Sequence, residues 1–133
     1  MKSIALKILP LFLAFLLVNA CSKEEESIED QLLGMWSLSA KSIDNSPVSL
    51  SDCEKLSTIE FQEKNFCILY DGCTQTSMNS GWNYKYDMLN IAQHLPAAFY
   101  IETLDKTTLL LRENSITSEG DLQKTVLTYT KLP

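Results

Sequence analysis

Four cysteines and one histidine carry most of the chemistry this chain can offer. Cys21 follows Lys2 and Lys7, an apolar run from Ile8 to Val18, and the small residue Ala20. That order of charged, apolar and small residues is the layout of a secretory signal over residues 1–20. The apolar run holds 11 residues, short of the roughly 18 that a membrane-crossing helix needs. Export delivers Cys53, Cys67 and Cys73 to an oxidising compartment, where a disulfide between two of them is the default. Three pairings exist. If residues 57–61 and 66–71 form a hairpin turning at Gln62-Glu63-Lys64-Asn65, facing positions sum to about 127. Cys53 and Cys73 sum to 126 and fall just beyond the open end of that hairpin, whereas Cys67 faces Ile59 and Glu60. The expected bridge is Cys53 to Cys73, with Cys67 a free thiol in a strand.

Catalysis needs a nucleophile with a base, paired carboxylates in a pocket, or a metal. His94, ahead of Leu95-Pro96, reads as a solvated loop side chain rather than a general base. Cys67, with no histidine beside it, reads as packing rather than as a nucleophile. The cysteine spacings fit no zinc pattern, and no glycine-rich phosphate loop appears. An enzyme is therefore not expected, nor a cofactor or a metal site.

The elements that must position these residues are strands. Residues 22–30 are charged and read as a solvated tether, followed by a helical turn from Ile28 to Leu33 that ends at Gly34. From Met35 onward the period is two: Trp36, Leu38 and Ala40 alternate with Ser37 and Ser39, and Ile59 and Phe61 with Thr58 and Glu60. Phe66, Ile68 and Tyr70 alternate with Cys67, Leu69 and Asp71. A polar loop is expected from Gly72 to Ser80. Gly81 opens a strand carrying Trp82, Tyr84 and Tyr86, Leu89 and Ile91 follow a bend at Tyr86-Asp87-Met88, and Phe99–Leu104, Thr108–Arg112 and Lys124–Lys131 complete the set. Eight short strands without crossover helices predict an all-β antiparallel meander. It closes into a small eight-stranded barrel, which removes exposed edges, or folds as a two-sheet sandwich.

Removing residues 1–20 leaves 113 residues with 9 basic and 17 acidic side chains, a net of about −8, since both signal lysines leave with the signal. That is one small domain, and its charge repels nucleic acid and anionic lipid surfaces.

Three resemblances extend this reading. Val18-Asn19-Ala20-Cys21 resembles the lipobox of bacterial lipoproteins, which implies acylation of the Cys21 thiol and a membrane held through acyl chains such as palmitate. Cys21-Ser22-Lys23-Glu24-Glu25-Glu26 resembles the surface-export signal of Bacteroidetes lipoproteins, implying the cell-surface side of the outer membrane; if the acidic run is only a spacer, the periplasmic face is the alternative. Further along, Gly34-Met35-Trp36 after a helical turn resembles the Gly-x-Trp signature of lipocalins. Together with Cys53-Glu54-Lys55, Thr58–Phe61, Ser80-Gly81-Trp82, Tyr100–Leu104 with Thr107–Leu111, and Leu127–Lys131, it is similar to the lipocalin-like domain of such lipoproteins over residues 31–132. The resemblance implies an up-and-down barrel over residues 31–133, with Trp36 as its plug. Lys131, where lipocalins commonly have arginine, would then lie over the tryptophan ring.

Inward alternation collects Phe61, Phe66, Tyr70, Trp82, Tyr84 and Phe99. These rings either fill the interior or line a site for a small hydrophobic ligand at the barrel mouth, with Tyr70, Trp82 and Tyr84 as candidate walls. If the barrel is solid, its outer surface is expected to serve as a protein-binding module, an inhibitor or an accessory subunit of an envelope complex.

Overall fold

The computed structural model describes residues 25–92 and 98–133; Cys21, the signal segment and His94 lie outside them. Period-two sequence becomes nine strands in one antiparallel sheet: β1 (Gly34–Ile43), β2 (Ser46–Val48), β3 (Thr58–Gln62), β4 (Phe66–Asp71), β5 (Thr76–Lys85), β6 (Met88–Ile91), β7 (Ala98–Leu104), β8 (Thr108–Ile116) and β9 (Leu122–Lys131). Each strand from β3 onward pairs with the next, and β9 returns to pair with β1. The result is a closed eight-stranded up-and-down barrel, with β2 folded back on the end of β1 as a short extra strand. Closure satisfies the ladder that an open sheet would leave bare at its edges. The sandwich alternative is excluded by the β1–β9 pairing.

Turn chemistry fixes the register. Asp44-Asn45 and Tyr86-Asp87 form two-residue hairpin turns in which both central residues have positive φ, at 49°, 66°, 55° and 61°. This is the type I′ geometry whose twist matches that of the strands it joins. At β7–β8, Asp105 Oδ1 accepts from the backbone N–H of Thr107 and of Thr108, both at 2.8 Å. These two bonds hold the Asp105 carboxyl below the usual carboxylate range.

A short helix, α1 (Ile28–Leu32), crosses one end of the barrel. Ser27 caps it, its hydroxyl accepting from Asp30 N–H at 3.1 Å, and Leu32 is fully buried. The helix lies against β5 and β7. Its end of the barrel is closed; the opposite end, where β3 starts and β4 ends, is open.

Inward alternation holds along most strands: Ile59 and Phe61, Trp82, Leu89 and Ile91, Phe99, and Leu109 and Leu111 are all buried. It is inverted in β4. Cys67 and Leu69 are buried there, while Phe66 is exposed and Ile68 and Tyr70 are only half-buried. The expectation that Phe66 points inward is corrected by register: Phe61 pairs with Cys67 and Ile59 with Leu69, so the inward row of β3 demands the odd-numbered row of β4. The small thiol leaves room for Phe61 and Trp82, whose rings meet edge to face at 5.2 Å and 73°. Phe66 instead lies opposite Gly81 on the outer wall, where a ring covers a residue without a side chain.

The expected loop from Gly72 to Ser80 is a second correction. Only its first four residues are loop, since β5 begins at Thr76. Thr76, Ser77 and Asn79 in this part of the strand are exposed, which suits their polar side chains.

Candidate functional site

At the closed end the packing is solid. Trp36 is fully buried, and its indole Nε1 donates to the Leu32 carbonyl at 2.8 Å. Lys131 Nζ stands 5.1 Å from the centroid of the Trp36 ring and donates to the Gln31 carbonyl at 3.4 Å. Gly34 permits this arrangement. Its φ of +122° suits glycine alone, and a Cβ there would lie 2.8 Å from the Lys131 side chain. Trp82, 5% exposed, donates from Nε1 to the carbonyls of Phe66 at 3.0 Å and Gln62 at 3.3 Å. Tyr84 packs, half-buried, on the same core.

At the open end the barrel is not filled. A half-open cavity of about 560 Å³ is walled by Leu38, Ile59, Leu69, Met78 and Tyr129, and rimmed by Glu54, Ser57, Tyr70, Asp71, Cys73 and Thr76. Of the three aromatic residues expected to form a ligand wall, only Tyr70 reaches this cavity, on its rim. Trp82 and Tyr84 lie elsewhere because β5 extends past the start of β4, carrying both residues toward the closed end to pair with Ile91 and Leu89. The aliphatic walls Leu38, Ile59, Leu69 and Met78, together with Tyr129, went unnoticed in the sequence reading. Their signal is register: Leu38 stands opposite Tyr129, Ile59 opposite Leu69, and Leu69 opposite Met78.

The rim is built by the disulfide. Cys53 and Cys73 are bridged with their Cα atoms 4.7 Å apart, as the hairpin arithmetic anticipated. The bridge clamps a single 3-10 turn, Glu54–Leu56, onto the end of β4. Gly72 makes the clamp possible, since a Cβ there would collide with the Cys53 carbonyl and meet the Leu56 side chain at 2.7 Å. Ser57 Oγ accepts from the Gly72 N–H at 3.0 Å, and Asp71 Oδ1 accepts from the N–H groups of Cys73 at 2.8 Å and Thr74 at 3.2 Å. Glu54 Oε2 accepts from Ser51 N–H at 2.7 Å. That bond, a second one with the Ser51 hydroxyl and the nearby Lys41 ammonium hold the Glu54 carboxyl below its usual range.

Tyr129 is the buried polar group of the cavity wall, 7% exposed. Burial, and secondarily the Glu113 carboxylate, pushes its ionisation well above that of an ordinary tyrosine. Cys67 is buried and unbridged, and burial raises its thiol as well. A buried neutral thiol is chemically quiet. No group of three metal-ligating side chains occurs among the described residues.

The sequence profile of the lipocalin-like domain matches residues 32–111, more than half of the chain. The protein belongs to the lipocalin-like domain family. Among solved structures it is similar to an odorant-binding protein from bovine nasal mucosa, with 17% identity over 84% of this chain and 78% of that one and a TM-score of 0.49. It is also similar to bovine odorant-binding protein complexed with its natural ligand, with 15% identity over 84% and 77% of the two chains and a TM-score of 0.48. No curated protein matches the chain.

Proposed function

We propose that the domain binds or carries a small hydrophobic molecule in the cell envelope, in the open end of its barrel. One observation carries this reading: the interior is packed to the plug at one end and holds, at the other, a half-open cavity of about 560 Å³ with Leu38, Ile59, Leu69 and Met78 in its wall. Sites for small molecules are concave and mostly apolar, with a few placed polar groups, and commonly span roughly 300–1,000 Å³. Ile59, Leu69 and Met78 would supply contact area, and the Tyr129 hydroxyl would orient the ligand.

The test is displacement of a neutral environment-sensitive dye by hydrophobic molecules, in the mature domain and in Leu69→Trp, which fills the cavity. Saturable binding in the first and its loss in the second support the site. Equal binding in both places the dye elsewhere. Native mass spectrometry of protein purified from its own host would then identify the retained molecule.

The same proposal makes Cys21 the acylated first residue of the mature chain, holding the domain at the outer membrane on its surface or periplasmic face. It rests on the order of residues 1–21. Cys21→Ala should move the domain from the membrane fraction to the soluble one, and persistence in the membrane fraction would defeat the anchoring assignment.

A protein-binding role has one observation in its favour. Ile116 and Leu122 pair directly at the tip of the β8–β9 hairpin and are 75% and 70% exposed. Substituting both with serine separates the roles, because it leaves dye binding intact and removes any contact made through the tip.

A further inference from the structure

Taking the open end as a ligand site, its charge says which hydrophobic molecules it accepts. Glu54 and Asp71 stand on the rim, and each anchors its loop through a single oxygen, Oε2 or Oδ1, leaving the other oxygen uncommitted to those bonds. Deeper in, Tyr129 forms part of the wall. Glu113 follows Leu109 and Leu111 on the inward row of β8, opposite the buried Thr125, and its charge reaches Tyr129. Carboxylates therefore stand at the mouth of the cavity, and Glu113 lies on the stretch of β8 that runs toward the same open end.

Cations do not balance them. No lysine, arginine or histidine lines the cavity. Lys41, opposite Leu127 on β1, is near enough to act on Glu54 and offsets that one acid. Arg112 and Lys124 are engaged on the outer wall, where both meet Glu102, at 2.9 and 3.7 Å, and Arg112 also stacks 4.5 Å from the Tyr100 ring. Asp71 forms none of the ion pairs among the described residues and stands at a cleft whose low-dielectric walls focus its field.

We infer that the cavity takes amphiphiles with a cationic head, of the long-chain amine class, and turns away fatty carboxylates of equal length. The apolar chain lies along Leu38, Ile59, Leu69 and Met78. The ammonium head stays at the mouth, beside the Glu54 and Asp71 carboxylates. A carboxylate head meets like charge there.

A matched series tests this: dodecylamine, dodecanol and dodecanoate, each displacing a neutral naphthylamine dye from the disulfide-bonded mature domain near neutral pH. Dodecylamine should bind about tenfold tighter than dodecanoate, a difference of about 1.4 kcal/mol, with dodecanol between them. High salt should narrow the gap. So should Glu54→Gln combined with Asp71→Asn, which keeps the loop-anchoring acceptors, and dodecanol should bind the variant as it binds the parent. Dodecanoate binding as tightly as dodecylamine, or a gap that neither salt nor the double variant changes, overturns the charge preference and leaves the ligand site standing. Failure of the dye and of all three alkyl compounds to bind would defeat the ligand site and the preference together.

Discussion

The two ends of this barrel are made from the same strands with the same alternation, yet one is solid and the other hollow. At the closed end Trp36, Phe61, Trp82, Leu89 and Phe99 are between 0 and 5% exposed, and the Trp36 and Trp82 indole N–H groups each find a carbonyl. At the open end the cavity wall is made of aliphatic side chains and one phenol: Leu38, Ile59, Leu69, Met78 and Tyr129. Ring volume accounts for the difference. Large aromatics drawn to one end consume its interior, and smaller side chains leave the other unfilled. Stability and binding are thereby assigned to separate halves of one core.

Substitutions can break that division. The largest effect is expected at the plug. Trp36→Ala should cost about 3–5 kcal/mol in denaturant unfolding, as truncation of a buried tryptophan does; a cost below about 1 kcal/mol would mean that the closed end is not where stability resides. Next comes the clamp. Cys53→Ala with Cys73→Ala should cost about 3 kcal/mol, and hydrogen exchange should speed up around residues 51–57 and 71–76 while α1 and β1 stay protected. Uniform loosening would make the two ends one cooperative unit. Trp82→Phe should cost about 1 kcal/mol, the worth of the N–H bonds it removes, and should leave dye binding at the mouth untouched.

The smallest effects come from titration. The folded Tyr129 ionises at a higher pH than the unfolded one, so its neutral form contributes stability in full below the unfolded value. That contribution falls away above about pH 10, where the unfolded tyrosine ionises; Tyr129→Phe should flatten this alkaline limb. Glu54 has the opposite sign. Its depressed ionisation stabilises the fold above the unfolded value and is lost as the pH falls toward it and below. Glu54→Gln should remove part of the acid sensitivity in thermal melts.

Strand existence was legible because period-two contrast is strong in β1, β3 and β6 and turn residues punctuate the rest, whereas periodicity left barrel and sandwich open and closure was implied by the resemblance of Gly34-Met35-Trp36 to the lipocalin signature. The disulfide was legible because a hairpin makes cross-strand distance a matter of addition. Facing was harder. In Phe66-Cys67-Ile68-Leu69-Tyr70 both rows are apolar, so contrast vanishes and only pairing with Ile59 and Phe61 decides which row turns inward. The start of β5 was hidden for the opposite reason: Thr76, Ser77 and Asn79 are all exposed and no apolar row marks the strand. The cavity was least legible of all. Volume left over is a property of how eight strands meet, and aromatic residues, the natural sequence guess for a binding wall, are the ones that fill space rather than leave it.

One consequence concerns mechanics. Ser27 begins the helix that carries Leu32, whose carbonyl holds the Trp36 indole, while Gln31 receives the last strand through Lys131. A pull delivered through the chain ahead of Ser27 would be shared at once between the first and last strands at the capped pole. The far rim would ride along undistorted, as a cup swings from a cord tied to its base.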